Sequence, residues 1–222
     1  MFKHHLTGSD YSIIAANLIP LYGVLFLDWE ASTMFLVYCL ETVIVGIFNV
    51  LKMMAVTIFV QRKADSLAAA KEKTITGWPL IFFFIVHYGL FVFIQTQMFF
   101  HAGNLINDNS FIVSYSKVIR SLGQDGRLVL WIFVCSYTLQ TLYSFAFSGQ
   151  YKTISMSRLM FQPYTRIFIQ QFVVIVGSMF VTLGGGKIFM IIFVAVKIIF
   201  EVGINLDKYL QAAEQKEIKR SY

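Results

Sequence analysis

The feature that most restricts this chain is the length of its unbroken apolar runs. Stretches such as Leu80-Ile81-Phe82-Phe83-Phe84-Ile85-Val86 hold no polar residue. A helix that crosses the hydrocarbon core of a bilayer needs about 20 mainly apolar residues, with roughly 17 to 25 tolerated. Six blocks qualify: Tyr11–Leu27, Ala31–Val60, Trp78–Phe100, Leu128–Phe147, Tyr164–Leu183 and Ile188–Leu206. In lipid every backbone N–H and C=O must be bonded within its own segment, so such blocks are helices. Strands of a membrane barrel would alternate polar and apolar residues, and these runs do not. The expected architecture is all-α: a polytopic membrane helical bundle with six transmembrane helices, forming a single integral membrane domain over residues 1–222.

Composition supports this division. The chain is 57% hydrophobic and 14% charged, where a soluble domain is about half apolar and a quarter charged. Pro79 and Pro163 fall in the first turns of the third and fifth blocks, where a missing N–H costs nothing, whereas Pro20 lies inside the first and should bend it or free a carbonyl there. Asp28–Glu30 and Gly184–Gly186 are connections so short that the helices they join are antiparallel neighbours. Cys39 and Cys135 sit in apolar blocks and read as reduced packing residues. The first block lacks a small-x-small cleavage site and reads as a retained anchor rather than a secretory signal.

Between Asn104 and Gly126 the apolar residues Phe111, Tyr115, Val118, Ile119 and Leu122 recur at helical spacing. This predicts one outer interfacial helix, either a lid over a cavity or a surface anchor packed on the bundle. Lys and Arg set the orientation. With a cytoplasmic N-terminus, that side holds twelve of the 18 basic residues, against Lys117, Arg120, Arg127 and Lys187 outside. Both termini are then cytoplasmic, in a bacterial inner membrane. The formal charge of +6 is a topology signal and an attraction to anionic lipid. No basic-plus-aromatic groove points to nucleic acid.

Ionisable groups inside the spans are the best functional clue, because each is costly at mid-membrane depth and needs a partner. At about 1.5 Å rise per residue, Glu41 lies about 15 Å below the outer end of its helix, Lys197 about 15 Å below the outer end of the sixth, and His87 about 13 Å above the inner end of the third. All three fall near the midplane. Glu201, one turn after Lys197, can form an intramembrane ion pair with it. Lys52 lies near the cytoplasmic boundary, where its stem can snorkel. Glu41 has no cation within a turn, so it is protonated, hydrogen-bonded across helices, or paired with His87 or Lys197. Gly89, beside His87, would permit close helix approach.

Several chemistries are excluded. The four histidines are His4, His5, His87 and His101, so no base follows residue 101 for a rhomboid-type serine protease. There is no His-Glu-x-x-His helix for a zinc protease. His87 and His101 are spaced as in cytochrome b helices, yet no second helix supplies the opposing histidines. Gly184-Gly185-Gly186 is a turn, not a phosphate loop.

Four short motifs carry a family resemblance: Asn17-x-x-Pro20-Leu21-x-Gly23; Glu41-x-x-x-x-Gly46-x-x-Asn49-x-x-Lys52; His87-Tyr88-Gly89-x-Phe91; and Pro163-Tyr164-x-Arg166-Ile167. Together they resemble an uncharacterised prokaryotic family of multi-pass membrane proteins, a domain of unknown function with HYG and PxxRI motifs. The resemblance covers most of the chain and implies no assigned activity. In that family's pattern a histidine stands where this chain has Gln95, and another where it has Gln171. With Glu41 and His87 these would make three imidazoles and one carboxylate, a plausible metal set. Glutamine carbonyls are poor transition-metal ligands, so here the resemblance implies a polar intramembrane site.

Three readings follow. In the first, a non-enzymatic protein binds a small solute, lipid headgroup or ion in a pocket between helices two, three and five. Glu41 and His87 would be its proton or cation groups, Gln95, Gln171 and Asn49 hydrogen-bond partners, and Arg166 a rim residue facing an anionic headgroup. In the second, the same residues form an intramembrane, metal-dependent enzyme. In the third, the protein is a structural or partner-binding subunit whose polar groups only join helices. The residues themselves name no cofactor, no substrate and no partner beyond the lipid bilayer.

Overall fold

A computed structural model describes residues 8–66, 77–102, 115–152, 154–164, 167 and 186–199. Among them are seven α-helices and no strand. α1 (Gly8–Phe26) turns at once into α2 (Ala31–Ser66), and α3 (Gly77–Ala102) lies beside α2. α4 (Tyr115–Ser121) is a single short helix ahead of α5 (Gly123–Gln140). α5 runs on as a π-helical stretch, Thr141–Phe147. α6 (Met156–Phe161) and α7 (Gly186–Ile198) complete the set.

Among the described residues, three helical segments are long and apolar enough to cross a membrane: Ala31–Phe59, Gly77–Met98 and Gly123–Phe147. They match the second, third and fourth expected spans. The first corresponds to α1, whose apolar part is Ile14–Phe26. The expected fifth span lies almost wholly outside the described residues, and α7 covers only the first part of the sixth.

Two boundaries differ from expectation by more than a turn. α2 continues to Ser66, past the apolar block. α5 begins at Gly123, five residues before Leu128, because Gly123 takes φ +67° and breaks α4 from α5 there. Asp125 and Arg127, which read as loop, therefore form the first turns of the helix. α1 continues through Pro20 as one helix.

The α1–α2 turn is tight for two local reasons. Asp28 adopts the left-handed region at φ 53°, which short polar side chains tolerate better than most. A Cβ at Gly23 would collide with the Trp29 ring, so glycine lets that ring fold back over α1. The Gly23 carbonyl then accepts from the N–H groups of both Leu27 and Trp29, at 3.0 and 3.1 Å. Lys187, at the start of α7, lies 3.5 Å from the Asp28 carboxylate. The turn and the start of α7 are thus at one end of the bundle.

The core has two parts. Around the upper half of α2, Phe35 and Tyr38 pack on Phe193 of α7 and Phe133 of α5, with Val118 and Leu122 of the α4 region beneath them. Val118 and Leu122 are fully buried, so the α4 region packs against the bundle through these two side chains. Thr96 of α3 and Tyr115 of α4 hold it by a hydroxyl contact of 2.5 Å. Around the lower half of α2, Met53 and Val56 pack with Phe84 and Tyr88 of α3, Phe145 and Leu159. The outer face of α3 is open, with Phe82 and Leu90 more than half exposed. Such a face suits lipid tails, which are as apolar as the side chains.

Candidate functional site

The polar groups of the spans divide between the two core parts. Asn17, Glu41 and Lys197 stand ten residues from Leu27, Ala31 and Lys187 respectively. Each is therefore about 15 Å from the end of the bundle marked by the Asp28–Lys187 contact. They meet there. The Lys197 ammonium donates to Glu41 Oε2 and, at 2.8 Å, to Asn17 Oδ1. Tyr137 of α5 donates to the other carboxylate oxygen, Glu41 Oε1, at 2.5 Å.

Aromatic rings surround the cation. Lys197 Nζ lies 4.4 Å from the centre of the Tyr38 ring and 5.2 Å from that of Phe133, within the range where a ring face attracts an ammonium. Tyr38 in turn donates its hydroxyl to the Asn17 carbonyl, at 2.8 Å. Asn17, Glu41 and Lys197 are exposed by only 1%, 2% and 6%. The result is a cation held by a carboxylate, an amide oxygen and two ring faces, contributed by α1, α2, α5 and α7.

His87 belongs to a different neighbourhood. Its Nδ1 is 2.7 Å from the Tyr164 hydroxyl, and its ring stacks on Phe83 and packs against Phe91. The expected pocket that would join Glu41 to His87 is therefore not what the described contacts form. The reason is angular: the backbone carbonyl of Thr42, next to Glu41, accepts from Tyr88, next to His87, at 2.8 Å. The two helices touch at this level through Thr42 and Tyr88. Glu41 turns towards α5 and α7, while His87 turns towards residue 164. The close approach uses Gly46, where a Cβ would meet the Tyr88 ring. Gly89, expected to serve this purpose, has none of the described residues near its would-be Cβ.

The remaining expected residues fall as follows. Asn49 donates to the Leu159 carbonyl at 2.9 Å and joins α2 to α6. Gln95 is buried at 2% exposure, and among the described residues neither of its amide atoms has a hydrogen-bond partner. Arg166, Gln171 and Glu201 lie outside the described residues. Among those that are described, Lys197 bonds to Glu41 and Asn17.

The metal set implied by the family resemblance does not fit this arrangement. The carboxylate it needs already faces an ammonium, and among the described residues no three His, Cys, Asp or Glu side chains gather at one point. Asn17, Tyr137, Tyr38 and Tyr164 complete these contacts and were not singled out from the sequence as site residues. Counting helix depth would have found Asn17, which sits at the level of Glu41.

Neither the curated proteins nor the solved structures contain a match to this chain. A family profile matches residues 3–218. The chain belongs to that family, a family of unknown function designated DUF6498.

Proposed function

We propose that this is a non-catalytic, multi-pass integral membrane protein in which the Glu41–Lys197 centre joins helices. The supporting observation is that the centre is filled by the protein's own groups. Both carboxylate oxygens receive a donor, and the ammonium has two oxygen acceptors besides two ring faces. An ion pair in a low-dielectric interior is worth keeping only where such extra bonds complete it. The sequence-based topology of six spans with both termini cytoplasmic places this centre at mid-bilayer.

The test uses a Glu41→Gln/Lys197→Met double variant, shown to fold by its unfolding transition in detergent. It is competed against the parent in the native host, under a condition where deleting the gene slows growth. A helix-joining role predicts growth like the parent's. A folded double variant that grows like the deletion overturns this role and returns Glu41 and Lys197 to the list of working groups.

A second reading, binding of a small solute, lipid headgroup or ion, draws support from Gln95. A buried amide without a partner costs about 1–3 kcal/mol, and a polar ligand would remove that cost.

A further inference from the structure

The end of the bundle opposite the Asp28–Lys187 contact is basic. Among the described residues it carries Lys52, Arg62 and Lys63 of α2, Lys152 of the 3-10 turn Gln150–Lys152, and Arg158 of α6, against Asp10 and Asp65.

Contacts bring three of these cations to one side of α2. Asn49, whose amide donates to the Leu159 carbonyl at 2.9 Å, stands one turn before Lys52, which puts Arg158 within about a turn of the Lys52 level. Lys52 Nζ is 5.8 Å from the centre of the Phe145 ring, that ring is 6.3 Å from the Tyr151 ring, and Lys152 Nζ is 5.6 Å from the latter. Tyr151 also meets Phe59 of α2 edge-on at 5.0 Å. A ring face attracts an ammonium without neutralising it, so Lys152, which is exposed, keeps its charge for an anion.

Depth says what kind of anion. Lys52 stands twenty-one residues along α2 from Ala31, about 32 Å of helix, against a hydrocarbon layer about 30 Å thick. Phe59, beside Tyr151, lies about 10 Å further on. With Ala31 at one face of the layer, both lysines stand among the headgroups of the other. Beside them Tyr143 and Phe147 of the π-helical stretch point outward, 66% and 75% exposed, as rings at a membrane boundary do. A soluble anion gains nothing from such rings, whereas a lipid can lay its chains on them.

We propose that Lys52 and Lys152 bind the headgroup of an anionic phospholipid whose acyl chains lie on Tyr143 and Phe147. The inference is independent of the roles given to Glu41, Lys197 and Gln95.

The test loads the purified full chain, stripped of lipid in detergent, with a fluorescent phosphatidylglycerol. Unlabelled phosphatidylglycerol, phosphatidylcholine of the same acyl chains, or inorganic phosphate is then used to displace it. Each basic side chain near the surface favours an anionic lipid by about fivefold, so phosphatidylglycerol should compete about 25-fold better than phosphatidylcholine. Lys152→Gln should cut that preference about fivefold, and Lys52→Gln/Lys152→Gln should remove most of it. Lys117→Gln/Arg120→Gln, in α4, should leave it intact. Lys152 is exposed, so its single variant decides the matter if the double variant fails to fold. Equal competition by the two lipids overturns the proposal, as does a Lys152→Gln preference like the parent's. An equal loss in Lys117→Gln/Arg120→Gln would mean a diffuse field rather than a site, which also overturns it. Displacement by inorganic phosphate would assign the site to a free anion and overturn the lipid.

Discussion

Lys197 bonds to Glu41 across 156 residues of sequence, at the depth where Asn17 of α1 receives the same ammonium. Three helices are thus joined at a point where water cannot substitute for a lost partner. Moving either charge alone into such an interior is unfavourable, while the pair with its further bonds is tolerated. The contact constrains how α7 sits against α1 and α2 in a way that interchangeable apolar side chains would not.

Tyr137 completes the carboxylate, so Tyr137→Phe should leave Glu41 Oε1 without its donor. Hydrogen bonds to charged groups contribute about 1.5–3 kcal/mol, and a loss of that size is expected in an SDS or urea unfolding titration of the purified protein. A variant as stable as the parent would mean that the phenol contributes no net stability.

The two glycines near the α2–α3 contact should behave oppositely. Gly46→Ala drives a Cβ against the Tyr88 ring and is expected to destabilise by about 1–3 kcal/mol, with partial recovery in a Gly46→Ala/Tyr88→Ala double variant. Gly89→Ala meets no atom of the described residues and should be neutral or slightly stabilising, since alanine favours helix over glycine. Thermal unfolding of the variants, side by side, checks this.

Much of this arrangement was legible in the sequence, and the missing part has a physical cause. Length and composition gave the helices, and rise per residue put Glu41 and Lys197 at one depth. Depth does not give direction. The blocks are apolar all round, so nothing in them shows which way Glu41 or His87 turns, or whether Gly46 or Gly89 faces a neighbour. The start of α5 was hidden for a related reason: Asp125 and Arg127 are ordinary first-turn residues of a helix, yet beside an apolar block they read as loop.

Gln95 separates the two functional readings. Gln95→Leu removes an amide with no partner among the described residues while roughly conserving volume, so the helix-joining reading predicts a gain of about 1–3 kcal/mol in unfolding free energy. If Gln95 instead holds a polar solute, the same variant loses stability in membranes that contain the solute and gains it only after exhaustive purification.

The most direct test is a double-mutant cycle between Glu41 and Lys197, measured by unfolding in detergent. Glu41→Gln and Lys197→Met should each cost about 3–5 kcal/mol because each leaves a buried group unmatched, and the double variant should recover most of that loss. Single-variant losses that simply add, within about 0.5 kcal/mol, would contradict the contact on which this account rests.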